Sequence, residues 1–375
     1  MKYQKFMKVS SINLNIDDAS YPIVVGNGVL SQLKNRTNKI CPNAKKIAII
    51  IDKNIPNKFK KKIRAQLKKY KLFIKEYRPD EKLKNFKNAN ILVEYLIKKN
   101  FNRNDIIIAV GGGIIGDFVG FVASILKRGV NFINLPSTLL SQVDSSIGGK
   151  TGVNSTSGKN LIGSFYQPKL VISELSLLKS LPKREIICGF AEILKYSLIR
   201  DKKFFTWIKK NSKKILVEKN INSLHYAIVK SCKNKIYFVS NDEKEKGKRM
   251  LLNFGHTFAH GIEAANKFSK KINHGEAVLI GMMLATKVSY KKGICNQNTL
   301  NEIKKIYIEN KLPSDLKKYF SKSKYDKIVT FMISDKKNDD DKISFILLRR
   351  IGQTTKPGEM KMLPKSVSKI LKKIN

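Results

Sequence analysis

The stretch DIIIAVGGGIIGD, residues 105–117, decides the fold. Ile106 to Val110 is a short, apolar, β-branched run, the pattern of a strand buried on both faces. Gly111-Gly112-Gly113 follows at once, and Ile114-Ile115-Gly116-Asp117 opens a helix. Glycines 111, 113 and 116 satisfy G-x-G-x-x-G. That spacing lets a backbone approach a pyrophosphate while free N–H groups at the helix start bind its oxygens. A tight strand-to-helix turn without a ligand is the plainer alternative, but the context is right for a nucleotide. The acidic residue expected about 20 positions downstream is missing. Asp52, ending an earlier strand, is the candidate for the ribose instead.

Working outward, residues 46–52 and 71–77 read as strands and 57–70 and 86–99 as helices. Residues 130–135 form a further strand that stops at Pro136. This βαβα rhythm predicts a doubly wound α/β domain. From about residue 181 the pattern turns helical, over 183–200, 201–217, 222–240, 250–267, 275–292 and 297–311, with Pro182 as a helix-start residue. Ile343 to Gly352 reads as a small hairpin. The chain is therefore expected to divide near residue 180. It has no internal repeat.

Of 375 residues, 42% are hydrophobic, enough for a sizeable core, which excludes a disordered chain. Lys+Arg number 74 against 29 Asp+Glu, a net charge of +45. The basic residues are spread among Ile and Asn, as in Lys60-Lys61-Lys62 and Lys372-Lys373. A nucleic-acid surface concentrates charge on one helix or interleaves it with aromatics, and no segment does so. The charge reads as solvated surface, with a field that attracts phosphorylated small molecules. The four cysteines, Cys41, Cys188, Cys232 and Cys295, form no CxxC. A disulfide framework and a thiolate zinc knuckle are not expected, and a reducing compartment fits. The N-terminus reaches Asp17-Asp18 without an apolar core, so no secretory signal is read. Asp117 and the glycine cluster interrupt the most apolar stretch, 106–126, so it is not a membrane span.

Three of the four histidines, His256, His260 and His274, lie close together. His256 and His260 are four residues apart, on one helical face. Upstream, Glu192 and Lys195 share a face three residues apart. Two imidazoles and a carboxylate with one open position make a catalytic zinc set. Spacing alone does not say which two histidines bind the ion. Residues 137–152, followed by Gly158-Lys159-Asn160, combine hydroxyls, glycines and two lysines, which suits phosphate and polyol groups; a long flexible loop is the alternative. The run Asp242 to Arg249 ordinarily reads as solvated charge. Its place just before His256 makes Glu245 and Arg249 candidates for the same cleft.

The stretches GGGIIGD (111–117), LPSTLLSQVDSSIGGKTGVN (135–154), GKNLIGSFYQP (158–168), GFAEILKY (189–196), LLNFGHTFAHGIE (251–263) and HGEAV (274–278) resemble, in that order, the 3-dehydroquinate synthase family. The resemblance runs over nearly the whole chain. It implies an α/β plus α protein: an N-terminal Rossmann-like, doubly wound NAD-binding domain (1–180), a C-terminal mostly helical metal- and substrate-binding domain (181–375), and an active site in the cleft between. It implies NAD, one zinc (or cobalt) ion, a homodimer and a cytoplasmic location. The implied substrate is a small sugar phosphate, with neither nucleic acid nor membrane as partner. The implied reaction converts 3-deoxy-D-arabino-heptulosonate 7-phosphate to 3-dehydroquinate and phosphate. It proceeds by transient oxidation with NAD, phosphate β-elimination, re-reduction, ring opening and intramolecular aldol closure.

Carried over by that resemblance, the metal ligands are Glu192, His256 and His274. NAD contacts fall on Asp52, Asn54, Glu81, Lys84, Gly113, Ile114, Ile115, Gly116, Asp117, Ser137, Thr138, Lys150, Lys159, Leu177, Leu178, Lys179 and Ser180. Substrate and catalytic contacts fall on Arg128, Asp144, Lys150, Asn160, Lys195, Lys235, Glu245, Arg249, Asn253 and His260, with Lys336-Lys337 at the phosphate end. Two departures stand out. Pro79-Asp80-Glu81 lacks the glycine the family carries in this turn, and Ser137 replaces a Thr. Competing readings are another sugar-phosphate cyclase, a metal-dependent polyol dehydrogenase and an inactive, basic nucleic-acid-binding protein.

Overall fold

A computed structural model describes residues 8–16, 19–269, 271–333 and 341–374. Asp17-Asp18 and Lys336-Lys337 lie outside the described residues. Two compact units emerge: residues up to Pro182 together with Lys219–Ile236, and Lys183–Glu218 together with Tyr237 onward.

The first unit contains β1 (Val9–Ile16), β2 (Ala19–Gly26), α1 (Leu33–Ile40), β3 (Lys46–Asp52), α2 (Asn57–Gln66), β4 (Lys71–Tyr77) and α3 (Phe86–Lys98). It continues with β5 (Ile106–Gly111), α4 (Gly113–Ile125), β6 (Asn131–Pro136), β7 (Lys150–Ser155), β8 (Gly158–Phe165) and β9 (Leu170–Glu174). Seven strands form one sheet in the order β1-β2-β9-β6-β5-β3-β4. Only β1 runs antiparallel to its neighbour. Every residue of β5 is buried. The alternation of its side chains supplies two cores. Ile106, Ile108 and Val110 pack with Phe59 and Ile63 of α2. Ile107 and Ala109 pack with Leu92 of α3 and Phe118 and Val122 of α4. A strand covered on both faces has no need of polar residues, hence the continuous apolar run. The hairpin β1–β2 and strand β9 extend the sheet beyond the strands read from sequence. β1 alternates exposed positions with half-buried ones and the buried Leu14, and so gives no apolar run to read.

The second unit contains α5 (Lys183–Ile199), α6 (Lys202–Leu216), the last turn of α7 (Ile221–Asn241), α8 (His256–Ala265), α9 (His274–Lys291), α10 (Gln297–Glu309), α11 (Tyr325–Ile333) and α12 (Pro364–Ile374). Short strands β10 (Ile343–Phe345), β11 (Leu348–Arg350), β12 (Gln353–Thr354) and β13 (Met360–Met362) complete it. The expected hairpin over 343–352 is two separate pairings: β10 with β13, and β11 with β12. The helix expected over 250–267 is also broken. A 3₁₀ turn spans Lys248–Asn253, Gly255 takes φ 79°, and α8 starts at His256. Only glycine fits at 255, because the conformation is left-handed and a Cβ there would lie 2.7 Å from the Met282 backbone nitrogen.

Candidate active site

In the first unit the chain reverses its direction across the sheet between β3 and β5. Ligands of open α/β sheets bind outside the strand ends at such a switch point. Asp52 ends β3, and Gly111 ends β5 beside Pro136 of β6. Gly112 caps α4 without any side-chain hydrogen bond. A Cβ on Gly112 would lie 3.0 Å from Thr138 Cγ2, and one on Gly113 would lie 3.0 Å from Ser145 Oγ. The turn is thus a close-walled cradle with helix-start N–H groups at its base, which fits a pyrophosphate. Ile115 is fully buried, so only its backbone is available to a ligand; the same holds for the core residues Leu177 and Leu178. Lys179 and Ser180 remain accessible in that segment. Burial raises the Asp52 carboxyl above its usual range, against the backbone N–H of Asn54 that donates to it at 2.8 Å.

Buried Lys84 joins the cradle to the β7–β8 hairpin. Its Nζ donates to Asp117 Oδ2 and to Asn160 Oδ1, both at 2.7 Å. Asn160 holds φ 54° to present that oxygen. Glu81 accepts from Asn154 Nδ2 at 2.9 Å and pairs with Lys159 at 3.2 Å. Burial works to raise the Glu81 carboxyl, but Lys159, Asn154 and Lys84 outweigh it and hold it low. The missing glycine is harmless here. Asp80 has φ −126°, open to any residue, and its carboxylate caps the next turn by accepting from Lys82 N. Nearby, Lys235 Nζ donates to the Asp144 carbonyl at 2.7 Å and to its carboxylate at 2.8 Å. Lys150 is exposed at the start of β7. Ser137 N bonds Gly111 O at 2.9 Å, and the Thr138 and Ser141 hydroxyls meet at 2.8 Å. Arg128 is not gathered with this group. It is exposed, with φ 63°, on the turn before β6, and so lies at the end of the parallel strands opposite to Gly111.

In the second unit three segments converge. Glycines make this possible: a Cβ on Gly275 would lie 2.3 Å from Cys188 Cα, and one on Gly281 would lie 2.1 Å from the Gly255 carbonyl oxygen. Helices α5, α8 and α9 therefore touch backbone to backbone. Asn273 and Glu276 form a capping box that starts α9 at His274. One donor atom each from Glu192, His256 and His274 fall within 4.8 Å of one another. The Nε2 atoms of His256 and His274 lie 3.5 and 4.0 Å from Glu192 Oε1. His260 lies outside this set, its ring 5.7 Å from that of His256.

Glu192 is 1% exposed; Lys195 Nζ, one turn on, pairs with its Oε2, and its Oε1, on the side of the two imidazoles, has no hydrogen-bond donor. A buried carboxylate so placed is costly unless a cation satisfies it. Two imidazoles and this carboxylate are the donor chemistry of a divalent zinc-like ion. Burial works to lower the His274 imidazole, but Glu263 and then Glu192 outweigh it and hold it above its usual range.

The run 242–249 is an organised turn. Asp242 accepts from the backbone N–H groups of Lys246, Gly247 and Arg249 at 2.8–2.9 Å. Burial works to raise its carboxyl, and those three bonds hold it below the usual range instead. The turn buries Arg249 to 2% exposure and sets Glu245 at φ 56°, where it accepts from Asn253 Nδ2 at 2.8 Å. Sequence reasoning singled out Glu245 and Arg249 but missed Asp242, and it missed Glu263 as well. The signal for Glu263 was its place seven residues after His256, on the same face of α8.

The family model described as 3-dehydroquinate synthase N-terminal matches residues 75–188, and the C-terminal one matches 189–338. The chain is 47% identical over 346 residues to a 3-dehydroquinate synthase of Pelagibacter ubique, covering 92% of this chain and 94% of the relative. It belongs to the 3-dehydroquinate synthase family. A relative of that name from Bradyrhizobium diazoefficiens is 39% identical, over 92% of this chain and 91% of its own. Among solved structures, 2-deoxy-scyllo-inosose synthase complexed with carbaglucose-6-phosphate, NAD+ and Co2+ superposes with a TM-score of 0.85. It is 26% identical and covers 97% of this chain and 99% of its own.

Proposed function

We infer that this chain is a 3-dehydroquinate synthase of the shikimate pathway, a lyase that converts 3-deoxy-D-arabino-heptulosonate 7-phosphate to 3-dehydroquinate and phosphate. The observation that carries the reading is the buried carboxylate of Glu192, whose Oε1 has no hydrogen-bond donor and faces His256 and His274, in a chain of this family. Glu192, His256 and His274 would hold a zinc or cobalt ion, and the Gly111–Asp117 turn with Asp52 would hold NAD. When bound, the ion supplies Lewis acidity at a substrate hydroxyl, and NAD supplies a reversible hydride acceptor.

The chain's own residues do the rest. Lys195 keeps a buried ammonium beside the ion's carboxylate ligand, where it offsets charge developing on substrate oxygen. Lys150, Lys235 and Arg249 supply cations for the carboxylate and phosphate. Donors of this kind are worth a few kcal/mol each in a water-excluded site. Asn253 and His260 orient hydroxyls and relay protons, with Glu245 fixing the Asn253 amide. Lys84, held by Asp117 and Asn160, couples the nucleotide turn to the polar hairpin. A homodimer in the cytoplasm is part of the same reading.

The assay supplies the heptulosonate phosphate, NAD and zinc, and follows phosphate and absorbance together. The expected result is phosphate release with 3-dehydroquinate as product and no accumulation of NADH. Stoichiometric NADH would identify a polyol dehydrogenase. A different carbocycle would identify a sister cyclase. No turnover together with salt-sensitive DNA binding would leave only the nucleic-acid reading.

A further inference from the structure

The two imidazoles that face Glu192 are steadied differently. His256 turns its Nδ1 toward the carbonyl of Phe254, two residues back, at 3.3 Å. That partner is supplied by the local chain. His274 turns its Nδ1 toward the Glu263 carboxylate at 3.2 Å, on a different helix. Its side chain is 33% exposed against 13% for His256, so it is the ring less confined by packing. Glu263 itself is only 13% exposed. It sits on the face of α8 that also carries His256 and His260.

We propose that Glu263 is a positioning residue for the metal centre: it accepts the Nδ1–H of His274, selects the tautomer whose Nε2 lone pair faces Glu192, and so raises the affinity of the site for a divalent cation. A metal-bound imidazole needs its ligating nitrogen unprotonated and its ring held against rotation, and a carboxylate behind the other nitrogen does both. The inference rests on Glu192, His256 and His274 as the ligands. Helix α8 then contributes twice, one ligand from its first residue and the support for the ligand of α9 from its third turn.

The test measures zinc affinity of the full-length chain by competition with a chromophoric chelator, in the parent, Glu263→Gln and Glu263→Ala. The cobalt(II) d–d spectrum and the melting temperature of the metal-free protein are measured alongside. Roughly 10- to 100-fold weaker zinc binding is expected in Glu263→Ala, the usual cost of removing such a partner. Glu263→Gln, which still accepts a hydrogen bond but lacks the charge, should fall between. Metal-free melting should stay near the parent's, and the cobalt spectrum should change. Parent-like zinc affinity in Glu263→Gln, or a loss of affinity matched by an equal loss of metal-free stability, overturns the inference. A parent chain that binds no zinc overturns the ligand assignment and the inference with it.

Discussion

The nucleotide cradle and the metal centre are built by opposite routes. The cradle is built on one contiguous segment: Ile106 to Asp117 supplies the strand, the glycine turn and the helix start, and Thr138 and Ser145 only wall it. The metal centre draws Glu192, His256 and His274 from three helices, joined by glycines with no room for a side chain. A contiguous site tolerates change outside its own segment. A convergent site depends on every crossing that brings its parts together.

The strongest way to break this contrast is His274→Ala. It should lose bound zinc and essentially all turnover while the fold survives, as read by metal analysis and circular dichroism; full zinc occupancy would remove His274 from the ligand set. Next, Lys195→Ala should keep zinc but lose about 10²- to 10³-fold in kcat, the scale of one oxyanion-stabilising donor. Unchanged turnover would take Lys195 out of the mechanism.

The same small substitution in the two regions sharpens the comparison. Gly275→Ala sets a methyl against the Cys188 backbone. It should cost about 1–3 kcal/mol of stability and weaken zinc binding with it. Gly113→Ala meets only the hydroxyl end of Ser145. It should leave the melting temperature nearly unchanged while weakening NAD binding about tenfold, or 1.4 kcal/mol. If both variants destabilise the fold alike, the distinction between a local and a convergent site fails.

The smallest effect concerns pH. His225 is 4% exposed, and its Nε2 has no hydrogen-bond partner. Burial, then Lys8, lowers its imidazole below the ordinary 6.5, against a backbone bond to Val25. The unfolded chain takes up a proton near that value that the folded chain refuses. Stability supplied by this group is therefore present above 6.5 and lost as the pH falls below it. Melting curves taken on acidification should fall more steeply in the parent than in His225→Gln; parallel curves would show that His225 does not contribute.

The sequence alone determined what is local. A buried parallel strand needs an uninterrupted apolar run, and a pyrophosphate turn needs its glycines in place, so β5, the cradle and the α/β character of the first unit were legible before any coordinates. Two histidines at i and i+4 were equally legible; their spacing left open which of them binds metal, and only the family resemblance pointed to His256 with His274. The tertiary structure supplied the geometry, bringing one donor atom each from Glu192, His256 and His274 within 4.8 Å of one another and leaving His260 outside. It also showed the run 242–249 as an ordered turn around Asp242, set Arg128 apart from the polar cluster, and placed Glu263 behind His274. Those relations depend on how helices cross and how closely their backbones approach, and neither spacing nor composition along one segment encodes a distance to another.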